Sequence, residues 1–417
     1  RQRKIFSFKT KKHKVENVSL AIKKSMVSDK TTLFTESVIR MMTQRCNQYE
    51  AINLSQGTPA FPTPEKVKKA AMQAIEEGYN QYSITWGAPE FRQAISEKMM
   101  AFNGIPTEPD LHVTVTCGAT EAMMSTMLAI INPGDEVVIL EPFYENYGPD
   151  VIVSGAEPVY VPLRETIVPD GSTTFSYDSD QLRSAFSSRT KAIILNNPNN
   201  PLGKVFSIQE IEEIAALCCE YDCLAVTDEM YEYLIYDDQV HISIGSLPEM
   251  RNRTITISGL SKTYSMTGWR LGYVVAAEYL TNAIRKMHDF LTVGAPHPLQ
   301  IAGAVALRSE DTYYQQLVEW YDHRRQLMLK LLADAGFHCY CPQGAYYIMT
   351  DIDHFGFQDD TEFAVWLVKE IGVGGVPGSS FYSQLELGRT KFRFMFSKPE
   401  PTLLEAGQRL MQIKEKV

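Results

Sequence analysis

From about Glu50 to Ala276, short apolar, β-branched runs alternate with stretches whose apolar residues recur every three or four positions. His112–Thr116 reads as a strand, and the pattern of Glu121–Ile131 that follows reads as a helix. Glu136–Leu140, Lys191–Leu195, Leu224–Thr227, Thr254–Ser258 and Leu271–Ala276 read as further strands, and a helix is expected over Ile208–Glu220. Strands alternating with helices predict a mostly parallel sheet covered by helices on both faces, an α/β fold. Beyond about residue 300 the texture changes. A long helix is expected over Asp311–Ala335, two extended segments over Ala345–Thr350 and Lys391–Phe396, and a closing helix near Leu403–Lys414. The pattern predicts a large domain over residues 55–300 and a smaller α+β domain from 31–54 with 301–417.

At 417 residues the chain is long enough for two such domains. It is 44% hydrophobic and 22% charged, a globular balance that excludes wholesale disorder and fibrous repeats. No apolar run is long enough for a membrane-spanning helix, so no membrane partner is expected. The formal charge of −10 argues against a broad nucleic-acid surface. Seven lysines and arginines fall in residues 1–14 with no acid. Without an apolar core that segment is no secretory signal, and residues 1–30 are expected to form a basic, flexible arm. Because the chain starts at Arg1, its natural start is expected to be missing or altered. Seven cysteines without regular spacing predict reduced thiols in a cytoplasmic protein rather than a disulfide framework or a metal site.

Several motif readings fail. Gly372-Val373-Gly374-Gly375-Val376-Pro377 imitates a dinucleotide fingerprint, but proline takes the last glycine position and the strand–helix context is absent. Gly203-Lys204 lacks the rest of a P-loop. Four other features sit at expected strand ends, where α/β sheets gather function. Cys117-Gly118-Ala119-Thr120-Glu121 joins a strand to a helix. Its small residues let backbone N–H groups and the helix N-terminus approach an anion, although an ordinary tight turn reads the same way. Asn196-Asn197-Pro198-Asn199-Asn200-Pro201 forms an extended loop presenting amides, or a surface turn. Thr227-Asp228-Glu229-Met230-Tyr231 follows an apolar run, so its acids need a buried partner, catalytic or structural. Ser258–Tyr273 places Lys262 after a strand and eight residues before Arg270, an amine beside an anion clamp.

An amine, a phosphate cradle, a carboxylate and an amide are the groups that hold pyridoxal phosphate. In these motifs, over about residues 31–417, the chain resembles the fold-type I pyridoxal-phosphate enzymes of the class I aminotransferases and is similar to their kynurenine/glutamine transaminase branch. The resemblance implies that Lys262 forms the Schiff base with the cofactor and later moves the substrate's proton. Asp228 matches the acid paired with the ring nitrogen, and Asn200 and Tyr231 match the donors to its phenolic oxygen. Tyr144 matches the aromatic stacked on the ring, while Ala119, Thr120 and Arg270 match the phosphate cup. Tyr82 matches a tyrosine that reaches the phosphate across a homodimer interface, so shared active sites are implied. Arg393 matches the arginine for the substrate α-carboxylate, with Gly57 and Asn200 beside it.

Two positions depart from the family pattern. Gly259 stands where a phosphate-binding serine is usual; Ser258 or Ser261 substitutes, or one contact is absent. Val293 stands where the kynurenine branch carries an aromatic pocket residue. The expected activity is transfer of an amino group from an L-α-amino acid to a 2-oxo acid. The rival is a lyase or cyclase, because the same cofactor set serves elimination and cyclisation.

Overall fold

The computed structural model describes residues 26–167 and 173–417. Most of the expected basic arm, up to residue 25, lies outside them. Glu36–Val417 forms one compact unit. Its central sheet comprises β1 (Val113–Thr116), β2 (Glu136–Glu141), β3 (Glu157–Pro162), β4 (Thr190–Asn196), β5 (Leu224–Asp228), β6 (Thr254–Gly259) and β7 (Gly272–Ala276). The order is β1-β7-β6-β5-β4-β2-β3. Only β7 runs antiparallel to its neighbours, as expected of a mostly parallel sheet. Every residue of β1, β2, β6 and β7 is buried, so β2 and β7 read as near-continuous apolar runs, while β1 and β6 alternate valine or isoleucine with buried threonine. The edge strand β3 is half exposed, and no strand was expected there.

The helices that matter for the site are α1 (Val38–Gln48), α2 (Pro89–Ala101), α3 (Gly118–Ile130), α4 (Tyr147–Ser154), α5 (Ile208–Glu220), α6 (Glu278–Thr292), α7 (Asp311–Ala335) and α8 (Glu400–Leu410). Helices α5 and α7 have the expected bounds. A capping box explains the sharp start of α5: Ser207 accepts from the Glu210 N–H while Glu210 accepts from the Ser207 N–H. Helix α3 begins three residues earlier than expected, so Gly118, Ala119 and Thr120 are its first turn rather than a preceding loop. The closing helix is broken into α8 and Ile413–Lys416.

A second, antiparallel sheet holds β8 (His338–Cys339), β9 (Tyr347–Asp351), β10 (Val376–Pro377) and β11 (Lys391–Met395), in the order β8-β9-β11-β10. The short strand Ile52–Asn53 pairs in parallel with Val373–Gly374, bringing the segment before residue 54 onto this part of the fold.

Strand register decides where the chemistry gathers. Asn196 pairs with Asp228 at the carboxyl ends of β4 and β5, and Asp228 with Ile257 of β6. At the same edge, Gly272 lies between Thr116 and Gly259. Beneath it a buried polar cluster ties the strand ends together. Lys98 of α2 and Glu232 form an ion pair at 2.6 Å, each almost wholly buried. Asn103 donates to Glu229, Glu232 and Ser243, and His241 meets Glu229 at 2.9 Å. Burial pushes Lys98 toward neutrality, but Glu232, Tyr273 and Glu229 around it more than restore its charge. Removing one partner of such a pair strands the other, at about 3–5 kcal/mol. Lys98→Met should therefore cost about that much in urea denaturation, and Lys98→Met/Glu232→Gln should recover part of it. Equal losses in the single and double variants would show that the pair is not coupled.

Candidate active site

A cavity of about 380 Å³ opens at these strand ends. Its wall includes Gly57, Ala119, Thr120, Tyr144, Asn200, Asp228, Tyr231, Lys262 and Arg270, so the structure gathers nine residues singled out in the sequence around one space.

Asp228 ends β5, and two donors hold its carboxylate: the Tyr147 hydroxyl at 2.7 Å to Oδ2 and the Met230 N–H at 3.2 Å to Oδ1. Burial raises its pKa, against which Tyr147, Met230 and the charge of Lys262 all pull it down. The Lys262 Nζ donates to the Gly57 carbonyl at 2.9 Å, which also accepts from the Tyr346 hydroxyl at 2.9 Å. Burial, reinforced by repulsion from Arg270 and Arg393, lowers its pKa to about 8. An amine tuned this way spends part of its time as the free base at neutral pH, as a Schiff-base nucleophile requires. Gly57 must be glycine, because a Cβ there would lie 2.0 Å from the Tyr347 hydroxyl.

The anion cradle is built by close backbone approach. Gly118 has φ 81°, and a Cβ on it would meet the Arg270 guanidinium at 2.4 Å. One on Gly272 would meet the Gly118 and Ala119 backbone at 2.5–2.6 Å. Arg270 is itself left-handed (φ 54°) and donates to the Thr267 carbonyl at 2.9 Å, which fixes its head over the first turn of α3. The free N–H groups of that turn and the positive end of the helix complete a site for a phosphate.

Arg393 lies one layer behind the wall. It is fully buried, donates to Asn200 Oδ1 and to the Ser55 carbonyl, each at 2.7 Å, and stacks 4.2 Å from the Tyr347 ring. Its Nε is buried and has no partner among the described residues. The Tyr231 and Tyr347 hydroxyls share a hydrogen bond of 2.8 Å.

One expectation comes out differently. Ser258 is 1% exposed and donates to Glu232 Oε1 at 2.7 Å, away from the cavity. Side chains alternate across a strand, so Ser258 faces the polar cluster while Ser261, past the end of β6, lines the cavity. Of the two serines beside Gly259, Ser261 is the one in the cavity wall. Tyr82 is 84% exposed and Val293 46% exposed, and neither is in the cavity wall of this single chain. The motifs also missed wall residues: Tyr147, Tyr347, Asp150, Met123, and Ser37 and Arg40 from the start of α1.

A buried amine, an acid, an anion cradle and a buried guanidinium with an unmet donor fit pyridoxal phosphate and a carboxylate substrate. Together with the parallel sheet, they define a fold-type I pyridoxal-phosphate enzyme. The comparisons carry this to the family. Residues 49–410 match the aminotransferases of class I and II, and the chain belongs to that family. It is similar to human kynurenine–oxoglutarate transaminase 1, at 34% identity over 88% of this chain and 93% of that protein. It is similar to an aspartate aminotransferase of Pyrococcus abyssi, at 36% identity over 93% and 98%. The solved N-succinyldiaminopimelate aminotransferase of Mycobacterium tuberculosis superposes with a TM-score of 0.89, at 35% identity over 93% of this chain and all of that one. The enzyme is a pyridoxal-phosphate-dependent transaminase; its relatives bear aminotransferase names, which decides against the lyase or cyclase rival.

The depressed Lys262 pKa has a checkable consequence. In the cofactor-free protein, labelling of Lys262 by an amine reagent should rise with pH around a midpoint of about 8. Arg393→Leu deletes a repelling charge and should move that midpoint up. Because the folded pKa lies below the unfolded one, this group destabilises the fold below about pH 8, and the cost is relieved as pH rises further. A labelling midpoint near 10, the ordinary lysine value, would overturn this reading of the site.

Proposed function

We propose that the wall residues divide the transamination among them as follows, on the strength of one observation above all: Lys262 and Asp228 face one cavity, with a phosphate cradle beside them. Lys262 holds the cofactor and moves the substrate's proton. Asp228, oriented by Tyr147, pairs with the ring nitrogen; Asn200 and Tyr231 serve the phenolic oxygen, and Tyr144 stacks on the ring. Ala119, Thr120, Ser261 and Arg270 hold the phosphate. Arg393, with Asn200 and Gly57, orients the α-carboxylate of an L-α-amino acid, a task suited to a planar guanidinium. Bound there, pyridoxal phosphate supplies the electron sink for the pair left when the substrate's Cα–H bond breaks.

The active unit in this reading is a homodimer with shared sites. Tyr82 lies on a loop packed against the end of α6, where Thr85 donates to Asp289 at 3.3 Å. Around it stand Ile84, Phe290 at 92% exposure, Leu291 and Val293, an apolar face suited to a second copy. We read the two sheets as a larger domain over residues 55–300 and a smaller one over 301–417 joined by the strand at Ile52–Asn53. All seven cysteines are free thiols, which favours a reducing, cytoplasmic setting. No helix among the described residues is long and apolar enough to cross a membrane.

Mixing stoichiometric holoenzyme with single amino acids should release one 2-oxo acid per site, and Lys262→Ala should abolish this. Borohydride should fix the cofactor on Lys262; a labelled peptide carrying another lysine sinks the assignment. Asp228→Ala should slow the same half-reaction at least about a hundredfold. For the shared site, Tyr82→Ala mixed with Lys262→Ala under subunit exchange should restore one site of near-normal cofactor affinity. If the mixture shows only the affinity of the Tyr82→Ala homodimer, the tyrosine acts within its own chain.

A further inference from the structure

One wall residue has no part in this scheme. Asp150 lies on α4, three residues after Tyr147, so the two side chains share a helix face. It is 4% exposed, and its Oδ2 is buried without a hydrogen-bond partner among the described residues. Nevertheless it lines the same cavity as Met123, Tyr147 and Asp228. Asp150 thus shares a helix face and a cavity with Tyr147, whose hydroxyl is bonded to Asp228 Oδ2.

Among the described residues no cation is paired with this carboxyl. The ionisable groups of the elements packed on α4 are engaged elsewhere. Glu121 of α3 holds the Cys117 N–H and His288. Glu136 of β2 is paired with Arg189, and Glu141 accepts from the Ser383 N–H. On β3, Glu157 lies 3.5 Å from Arg189, and Tyr160 stacks on Phe143. Burial alone acts on Asp150, and it raises the pKa to about 7. An acid buried without a partner costs stability when it ionises, unless a ligand supplies the missing charge or donor.

We propose that Asp150 is a second acid for the ring-nitrogen end of the cofactor, adding its carboxylate to that of Asp228 so that two acids face the protonated ring nitrogen. This rests on the reading of Asp228 given above. It makes the end of the cavity complementary to a cation in two places, one held by hydrogen bonds and one left open.

The test compares pyridoxal phosphate with its 1-deaza analogue, which lacks the ring nitrogen, by equilibrium dialysis against cofactor-free wild type, Asp150→Asn and Asp228→Asn. Asp150→Asn should weaken pyridoxal phosphate at least about threefold at about pH 8 and leave the deaza analogue unchanged. Asp228→Asn should reduce the same preference more. A second readout uses the cofactor-free protein alone. The folded pKa of Asp150 is raised above the unfolded value, so its cost grows between about pH 4 and 7 and persists above. Asp150→Asn should therefore melt higher than wild type at about pH 8, by a margin that shrinks toward about pH 5. If Asp228→Asn removes the preference for the ring nitrogen while Asp150→Asn does not, the proposal falls and the reading of Asp228 stands. If neither variant reduces it, both assignments fall. Equal loss of both ligands in Asp150→Asn, repeated in Asp150→Leu, would show that the residue only shapes the wall.

Discussion

The site depends on holding like charges together where water is scarce. Lys262 and Arg270 line one cavity with Arg393 just behind its wall; burial and repulsion from both guanidinium groups lower Lys262, while burial lowers Arg393. Arg393 stays charged in any setting this protein offers, because its two terminal nitrogens are met by Asn200 and the Ser55 carbonyl and its face by aromatic rings. Lysine has no such protection, so the repulsion is resolved at Lys262, whose amine gives up its proton most easily. Asp228 opposes this only in part. Its carboxylate accepts from Tyr147 and Met230, yet burial still raises its pKa, and the charge of Lys262 is among the effects that pull it down. The amine and the acid are thus tuned together, each acting on the other.

That tuning needs atoms placed to within a few tenths of an ångström, and the backbone provides it. Residues far apart in the chain meet because β4, β5 and β6 end together, with β7 starting beside them. The approach of β7 to α3 is so close that side chains at Gly118 and Gly272 would collide with Arg270 and the backbone. Removing Cβ atoms lets the helix terminus and the guanidinium converge on one anion. The buried cluster of Lys98, Glu229 and Glu232 lies under the same strand ends, and Glu229 directly follows Asp228 in sequence. A charge network with no access to the cavity therefore stiffens the floor on which the reactive groups stand.

The fold was legible to the extent that burial dictates pattern. Short β-branched runs marked the covered strands, and apolar residues at helical spacing marked α5. The half-exposed edge strand β3 carries too weak a pattern, and no local signal tells that β7 is reversed, since direction in a sheet is a tertiary property. At the site, residues bound to strand-end motifs were found: Lys262, Asp228, Asn200 and Arg270. Ser258 was misread because its neighbour in sequence faces the opposite side of the strand. Tyr147, Tyr347 and Asp150 were missed because nothing in a lone tyrosine or aspartate on a helix or strand tells which cavity it will face.

The mouth of the cavity obeys different rules from its floor. Ser37, Ile39 and Arg40 reach it from the first turn of α1, opposite Glu145 and Gln56. Ser37 is hydrogen-bonded to Glu145, which ties α1 to the segment carrying Tyr144 and Tyr147. No ion pair engages Arg40 among the described residues, and its position is exposed. On the floor Asp228, Asn200 and Tyr231 are buried, whereas at the mouth Ser37, Ile39 and Glu145 are half-buried and Arg40 and Gln56 exposed. The Tyr144–Tyr147 segment belongs to both mouth and floor, since Glu145 is tied to Ser37 on one side and Tyr147 donates to Asp228 on the other.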